Sequence, residues 1–328
     1  MGVVLATSRS FSSGSVDLVA RLADAGHAVL AGPSDHDLAA LRPLLADADA
    51  WIAGTGPVTA AHLDAAPRLR VVARYGVGYE AVDVQAAAER GIPVTNTPGA
   101  NSAAVADHAI GLMLAVLRGI AEGDRRVRAG DWRVLRGRQL GSLRVGFVGF
   151  GRIGQGVAGR LSGFGSGLAV HDPWMSDEVV ASFGAARVDA AALAAECDLV
   201  TLHSPGGGTI VDARWLEGAR PGLVLVNTAR PELVDEAAVA DALRSGTLAG
   251  FAADTLAGDT RGGASPLLAP EFADRVVVTP HLGAQTVEAV DGMGGAAVDN
   301  VLAVLAGQDP PFPVPGSAHR IPATEADA

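Results

Sequence analysis

Apolar runs of four to six residues alternate with Ala-rich stretches of helical period along most of the chain. Gly2 to Ala6, Ala28 to Ala31, Ala50 to Ala53, Leu69 to Ala73 and Ile92 to Thr95 read as short strands. Near-continuous apolar character is what a strand covered on both faces requires, and the helical patterns between runs supply crossovers, so a parallel sheet is predicted. A second series opens with Arg144-Val145-Gly146-Phe147-Val148-Gly149. It continues through Leu168 to His171, Leu199 to His203, Leu223 to Asn227, Gly250 to Asp254 and Val276 to Pro280, which predicts a separate sheet. Between the two series Ser102 to Leu117 is apolar on most faces, with Asn101-Ser102 as an N-cap signal, and reads as a long buried helix joining two domains. Thr286 to Leu305 is again helical and is expected to return to the first domain, followed from Pro310 by an extended or loose Pro-rich tail. The expected fold class is α/β with two mainly parallel, doubly wound sheets. A Rossmann-type domain, residues 101–285, is expected to be inserted into a flavodoxin-like one, residues 1–100 and 286–328.

The composition agrees with that organisation and narrows the function. A length of 328 residues with 49% hydrophobic content suffices for two cores. A formal charge of -11 opposes binding to nucleic acid, whose affinity comes mostly from phosphate neutralisation by Lys and Arg. Cys197 is the only cysteine, so no intrachain disulfide and no cysteine metal cluster is expected, and a reducing cytoplasm fits. The first residues lack a basic leader region, and no apolar run reaches the roughly 18 residues of a membrane span.

Gly149-Phe150-Gly151-Arg152-Ile153-Gly154 is a G-x-G-x-x-G run placed directly between an apolar strand and a helical pattern. The first glycine permits the tight turn, the second lets a pyrophosphate approach the backbone, and the third allows close helix packing. Alone the hexapeptide is a weak signal; its context makes it a dinucleotide site. Asp172, at the end of the next strand, is placed to accept hydrogen bonds from adenosine ribose hydroxyls and to repel a 2′-phosphate. With no Arg or Lys in Pro173-Trp174-Met175-Ser176, NAD is expected over NADP. By itself Asp172 would read as a solvated strand-end acid.

Three further strand-end motifs follow: Val226-Asn227-Thr228-Ala229-Arg230, Gly250-Phe251-Ala252-Ala253-Asp254 with Asp259, and Thr279-Pro280-His281-Leu282-Gly283-Ala284. Together with Arg74-Tyr75-Gly76-Val77-Gly78-Tyr79 and Asn96-Thr97-Pro98-Gly99-Ala100-Asn101-Ser102, they resemble the D-isomer-specific 2-hydroxyacid dehydrogenases over nearly the whole chain. Asp172-Pro173, Ala181-Ser182-Phe183-Gly184 and Pro280 to Ala284 resemble the 3-phosphoglycerate dehydrogenase branch, with no appended regulatory domain expected. The resemblance implies hydride exchange between NAD and a 2-hydroxy or 2-keto acid. Arg230 would hold the substrate carboxylate and polarise the keto oxygen, His281 would donate or accept the proton, and Asp259 would orient His281. Cofactor contacts would come from the glycine run with Arg152 and Ile153, from Asp172 and Pro173, from His203, Ser204, Pro205 and Thr209, and from Thr228, Ala229 and Arg230. Asp254 near the carboxamide, His281, Gly283 and Ala284 would complete them. Singly, Arg230 reads equally well as a capping cation, Asp259 as a loop acid and His281 as a strand-end histidine.

Three departures stand out. Asp259 occupies a position where the family usually has Glu, one methylene longer. Pro231 follows Arg230 where glycine is usual and confines Arg230 to extended backbone. Gly206-Gly207-Gly208 forms a shorter loop than usual.

At the substrate end, amides of Val77 and Gly78 can cradle a carboxylate, and Asn101 is expected to face the same cleft. Arg74 stands where that branch carries a phosphate-binding arginine, suggesting a second anion on the substrate; a surface ion pair is the alternative. The branch's other phosphate-side arginine is replaced by Ala53-Gly54-Thr55. Candidate substrates are therefore phosphono-substituted hydroxy acids, hydroxypyruvate or glyoxylate, and dicarboxylates. Arg133, Arg136 and Arg138 beside Trp132 read as a solvated or interface face. A homodimer is expected through the Asn101 to Leu117 helix and this arm. Oxidation of formate or phosphite, and an NAD-sensing corepressor-like binding protein, remain alternative functions.

Overall fold

A computed structural model describes residues 2–258 and 264–318. The chain divides into two compact units, residues 1–101 with 285–328, and residues 102–284.

In the first unit β1 (Gly2–Ala6), β2 (His27–Ala31), β3 (Ala50–Ala53), β4 (Val72–Arg74) and β5 (Val94–Thr95) alternate with α1 (Leu18–Asp24), α2 (Leu38–Leu45), α3 (Ala60–Asp64) and α4 (Val84–Glu89). The strands form one parallel sheet in the order β2-β1-β3-β4-β5, which is the flavodoxin-like order. β3 and β4 are buried along their whole length, the reason Ala50 to Ala53 and Val72-Ala73 are apolar without alternation, with Arg74 closing β4 as a buried cation. Asp17, Asp37 and Asp83 start their helices by accepting from the amides of Ala20, Ala40 and Ala86, which satisfies donors the helix cannot pair internally.

The second unit contains α5 (Ser102–Arg118), α6 (Ile120–Arg128), β6 (Arg144–Val148), α7 (Arg152–Leu161), β7 (Gly167–His171), α8 (Asp177–Ser182), β8 (Ala186–Arg187) and α9 (Ala190–Glu196). It continues with β9 (Leu199–Leu202), α10 (Ala213–Glu217), β10 (Leu223–Asn227), α11 (Glu236–Ser245), β11 (Leu248–Ala253) and β12 (Val276–Val278). All strands are parallel, in the order β12-β11-β10-β9-β6-β7-β8, a Rossmann arrangement extended by one strand. Alternate residues of β10 serve opposite cores: Leu223 and Leu225 enter one, Val224 and Val226 the other. Ala106, Ala109, Leu112, Met113 and Leu117 of α5 share the second core with Val157, Ala158 and Leu161 of α7. These residues of α5 are buried inside its own unit, while Ile110, Leu114 and Val116 of the same helix are only partly buried. The chain then returns through α12 (Val287–Leu305), which is capped by Thr286 and packs on β3 and β4 of the first unit.

The pattern-derived bounds shift where backbone hydrogen bonds are diverted. β4 starts at Val72 because the Leu69 amide closes a turn on Ala66, and β5 starts at Val94 because Pro93 has no N–H and the Ile92 amide bonds Ala87. β8 was not foreseen, being two exposed residues with no apolar pattern. Between Pro310 and Ala318 the tail is tied to β5: the Val314 amide bonds the Val94 carbonyl, and Ser317 Oγ accepts from the Val94 amide at 2.8 Å; the remainder of the expected tail lies outside the described residues. Among the described residues no single helix is long and apolar enough to cross a membrane.

Candidate active site

In the second unit the foreseen residues gather at the C-terminal ends of adjacent parallel strands. Gly149 follows β6 with φ +86°, and a Cβ there would stand 2.6 Å from the Ser204 amide nitrogen, so only glycine fits. Gly151 precedes α7 and faces open space, whereas a Cβ on Gly154 would meet the Gly149 carbonyl oxygen at 2.7 Å. The three glycines therefore perform turn, access and packing separately. No side chain caps α7, which leaves the amides of its first turn, at Arg152 and Ile153, directed at the open position of Gly151. Asp172 is buried at the end of β7; its Oδ2 accepts from the Phe150 amide at 2.7 Å and its Oδ1 from the amides of Trp174 and Met175. It latches the glycine turn to the Pro173 to Met175 loop and keeps one unused acceptor site on Oδ2.

After β9 the His203 amide extends the pairing to Val148 at 2.8 Å, and its ring lies 3.0 Å from the Thr201 hydroxyl. Burial lowers the pKa of His203 to about 3, so its imidazole is neutral. The short loop from Pro205 through Gly206 to Gly208 is tied to the chain beyond Arg230: Thr209 Oγ1 donates to the Glu232 carbonyl at 3.1 Å, and the Val211 amide to Leu233. Thr209 is thereby directed to that neighbouring loop and not to the glycine turn. After β10 the buried Asn227 folds the next residues back, accepting from the Ala229 amide at 3.0 Å and donating to the Arg230 carbonyl at 2.8 Å. Arg230 is extended, φ -136° and ψ 141°, as Pro231 dictates. Ser204 Oγ and Thr228 Oγ1 are buried and lack protein partners among the described residues. Two orphaned hydroxyls beside an uncapped helix start fit a polar cofactor laid across the loops after β6, β9 and β10.

The turn that carries His281 is built around Asp254, at the end of β11. Asp254 Oδ1 accepts from the Thr279 hydroxyl at 2.5 Å and the Leu282 amide at 2.8 Å, and lies 3.2 Å from His108 Nε2; Oδ2 accepts from the Gly283 amide at 2.7 Å. Burial alone would raise its pKa, but the donors from His108, Thr279, Gly283 and Leu282 together outweigh it and hold the carboxyl below its usual range. The His281 amide bonds the Asp254 carbonyl, and His281 itself is held at φ +57°, a left-handed backbone that non-glycine residues adopt at a cost. Ala284 ends this turn and the unit. Asp259 lies outside the described residues.

The first unit holds the foreseen substrate residues at the ends of its own strands. The carbonyls of Gly76, Val77 and Gly78 are each taken, by the Thr97 amide, Asn96 Nδ2 and Arg74 Nε. Among the described residues the amides of Val77 and Gly78 have no protein acceptor, which leaves them for an anion. Arg74 is buried, donating to the Gly78 carbonyl at 2.8 Å and the Ala53 carbonyl at 3.3 Å, and so braces this loop. Asn101 Oδ1 is buried and unpartnered among the described residues. Arg133 and Arg138 of the foreseen basic cluster are paired, with Asp131 and Asp198.

Comparison with known proteins adds to this geometry. The model of the D-isomer specific 2-hydroxyacid dehydrogenase family, NAD binding domain, matches residues 110–283. The glyoxylate reductase of Thermococcus litoralis is 36% identical over 263 residues, 76% of this chain and 78% of that protein. The chain belongs to the D-isomer specific 2-hydroxyacid dehydrogenase family. The D-3-phosphoglycerate dehydrogenase of Mycobacterium leprae is 40% identical over 283 residues, 84% of this chain but 52% of that protein. This family member therefore spans about half the length of the phosphoglycerate dehydrogenases it matches. A solved protein from Thermus thermophilus superposes with a TM-score of 0.86 at 34% identity, covering 95% of this chain and 99% of that one.

Within the family frame, sequence reasoning missed His108, Thr279 and Asn227, which touch the motif residues from behind. His108 had a signal: it and Asp107 are the only titratable residues in the apolar stretch from Ser102 to Leu117.

Proposed function

We propose that the protein is an NAD-dependent oxidoreductase that interconverts a D-2-hydroxy acid and its 2-keto acid. The convergence on one sheet edge of the glycine turn, the Arg230 loop and the His281 turn supports this reading. The first-turn amides of α7 and the hydroxyls of Ser204 and Thr228 hold the dinucleotide, and Oδ2 of Asp172 takes an adenosine ribose hydroxyl. A 2′-phosphate would face that carboxylate. The nearby cation, Arg187, is occupied by Asp177 and by the carbonyls of Asp172 and Met175, so NAD is preferred over NADP. When bound, the nicotinamide supplies or receives the hydride at the substrate C2. Arg230 draws the substrate carboxylate and keto oxygen together, and His281 gives its ring proton to that oxygen in reduction or takes it back in oxidation. Asp254 keeps His281 in its left-handed turn and offers Oδ2 to the carboxamide; Asp259 is assigned the orientation of the imidazole.

The amides of Val77 and Gly78 hold the carboxylate of the acid in the first unit. A side-group anion on the substrate is part of this proposal. The engagement of Arg74 with two backbone carbonyls favours a second reading, a glyoxylate or hydroxypyruvate reductase with monoanionic substrates, if Arg74 is the only cation offered. A corepressor-like sensor would need neither Arg230 nor His281. We also infer a homodimer, now from apolar surface on α6 and the segment after it: Ile120, Val127, Trp132 and Val134 are all exposed. The lone buried thiol of Cys197 suits a cytoplasmic setting.

The test is a pair of variants. His281→Ala and Arg230→Ala should each lower kcat/KM by roughly two orders of magnitude or more while NADH binding, followed by fluorescence, persists. Retention of turnover by either variant would move the chemistry to other residues.

A further inference from the structure

Arg74 braces its own loop, yet the same strand-end edge of the first unit carries another arginine that nothing engages. Arg9 follows β1, is exposed, and makes no hydrogen bond or ion pair among the described residues. In the same unit Arg21, Arg68 and Arg90 are each met by a carboxylate, at 2.5, 3.0 and 2.7 Å from Asp299, Asp49 and Asp64, whereas Arg42 of α2, like Arg9, has no side-chain partner among the described residues.

The position of Arg9 is set from both sides. On one side Thr7 and Ser8 press against Gly54, beyond β3: the Gly54 amide donates to Thr7 Oγ1 at 3.2 Å, and a Cβ on Gly54 would stand 2.5 Å from the Thr7 carbonyl oxygen and 3.1 Å from Ser8 Cα. No side chain fits at position 54, so the loop after β3 cannot itself present a cation there. On the other side the Ser10 carbonyl accepts from Tyr75 Oη at 3.3 Å, and the Phe11 and Tyr75 rings meet edge to face at 6.3 Å. Tyr75 opens the loop whose Val77 and Gly78 amides await an anion. Arg9 is thus held between the loops after β3 and β4, at the carboxyl ends of a parallel sheet where such folds bind ligands. The hydroxyls of Ser8 and Thr55, on the loops after β1 and β3, have no partner among the described residues and are donors of the kind that accompany arginine around an oxyanion.

We propose that Arg9, with Ser8 and Thr55, binds a second anionic group on the 2-hydroxy acid substrate, a phosphate, phosphonate or distal carboxylate. The inference rests on the reading that the Val77 and Gly78 amides hold the first carboxylate. It places the charge selectivity of the substrate site on the loop after β1, with Arg74 left as the brace of the amide nest.

Two measurements test it. In the first, kcat/KM is compared for D-3-phosphoglycerate, D-malate and D-lactate in wild type, Arg9→Ala, Arg9→Lys and Thr55→Val. Arg9→Ala should lower the ratio of the dianionic substrates to D-lactate roughly ten- to hundredfold, the loss expected for a charged hydrogen bond; Arg9→Lys should restore part of it, and Thr55→Val should move it less in the same direction. The phosphate and carboxylate arms tell which anion the site takes. A ratio unchanged in Arg9→Ala overturns the inference. In the second, calorimetry follows phosphonoacetate and acetate binding to the protein alone. Tighter phosphonoacetate binding that depends on Arg9 supports the site even if none of the three acids is turned over, a result that would count against the proposed reaction and not against the site. Equal binding by wild type and Arg9→Ala overturns it.

Discussion

At the scale of single residues, the hydrogen-bond inventory around Asp254 fixes one proton. The Thr279 hydroxyl spends its only hydrogen on Asp254 Oδ1, so His108 Nε2, 2.8 Å from that hydroxyl oxygen, must carry the hydrogen that joins them. His108 is accordingly a positioning residue for the His281 turn. His108→Phe should lower kcat about tenfold and displace its pH profile while leaving NADH affinity nearly intact, since a small misplacement of an acid–base group acts on the chemical step. An unchanged pH profile would make His108 a packing residue only. A second buried histidine reports on stability. His36 accepts from the Thr7 hydroxyl at 2.7 Å, because the two acceptor sites of Thr7 are already met by Trp51 Nε1 and the Gly54 amide, and its Nδ1–H bonds the Pro57 carbonyl. Its pKa falls to about 4, through burial first, opposed by the Pro57 bond and aided by the charges of Arg74 and His62, with Asp35 acting the other way. A histidine depressed in the folded state binds its proton more readily when unfolded. Its contribution is therefore complete above pH 6.5 and is lost as pH falls from there toward about 4. His36→Asn, which tolerates the φ of +58°, should flatten the dependence of the thermal midpoint on pH across that window. A slope equal to wild type would show that other groups set it.

At the scale of elements, what the sequence disclosed followed the strength of local patterns. The glycine run, the motifs at the ends of β10, β11 and β12, and the parallel order all rest on contiguous residues whose spacing states their geometry. β8 has no such pattern, and the starts of β4 and β5 depend on where Leu69, Ile92 and Pro93 send their amides, which only the folded neighbours decide. The same limit hid His108 and Arg9, which act through segments distant in the chain. Arg74, whose side chain type suggests a ligand, is buried and donates to the Gly78 and Ala53 carbonyls, contacts that no local pattern announces. Gly149 offers a test of an element junction. Gly149→Ala combines a positive φ with a Cβ 2.6 Å from a backbone nitrogen, so it should destabilise the protein by about 1–3 kcal/mol or more and weaken NADH binding together. A denaturation midpoint equal to wild type would contradict the close approach of the β6 and β9 loops.

At the scale of the whole molecule, Ile110, Leu114 and Val116 of α5 are partly buried, and Trp132 and Val134 are 78% and 95% exposed on the segment after α6. A partner copy covering this arm would remove that surface from water, and the protein should sediment as a dimer that Trp132→Glu with Val134→Glu converts to monomer. A monomeric wild type at working concentration would leave the arm without that role. The central claim is hydride exchange at C2 of a D-2-hydroxy acid. It is tested most directly with D-2-hydroxy acids deuterated at C2, including phospho and dicarboxylate members, incubated with NAD and read by mass spectrometry of the reduced cofactor. The account predicts that deuterium from the D-enantiomer enters NADH in the wild type and does so roughly a hundredfold or more slowly in His281→Ala; cofactor free of deuterium in the wild type, or labelling from the L-enantiomer alone, would contradict it.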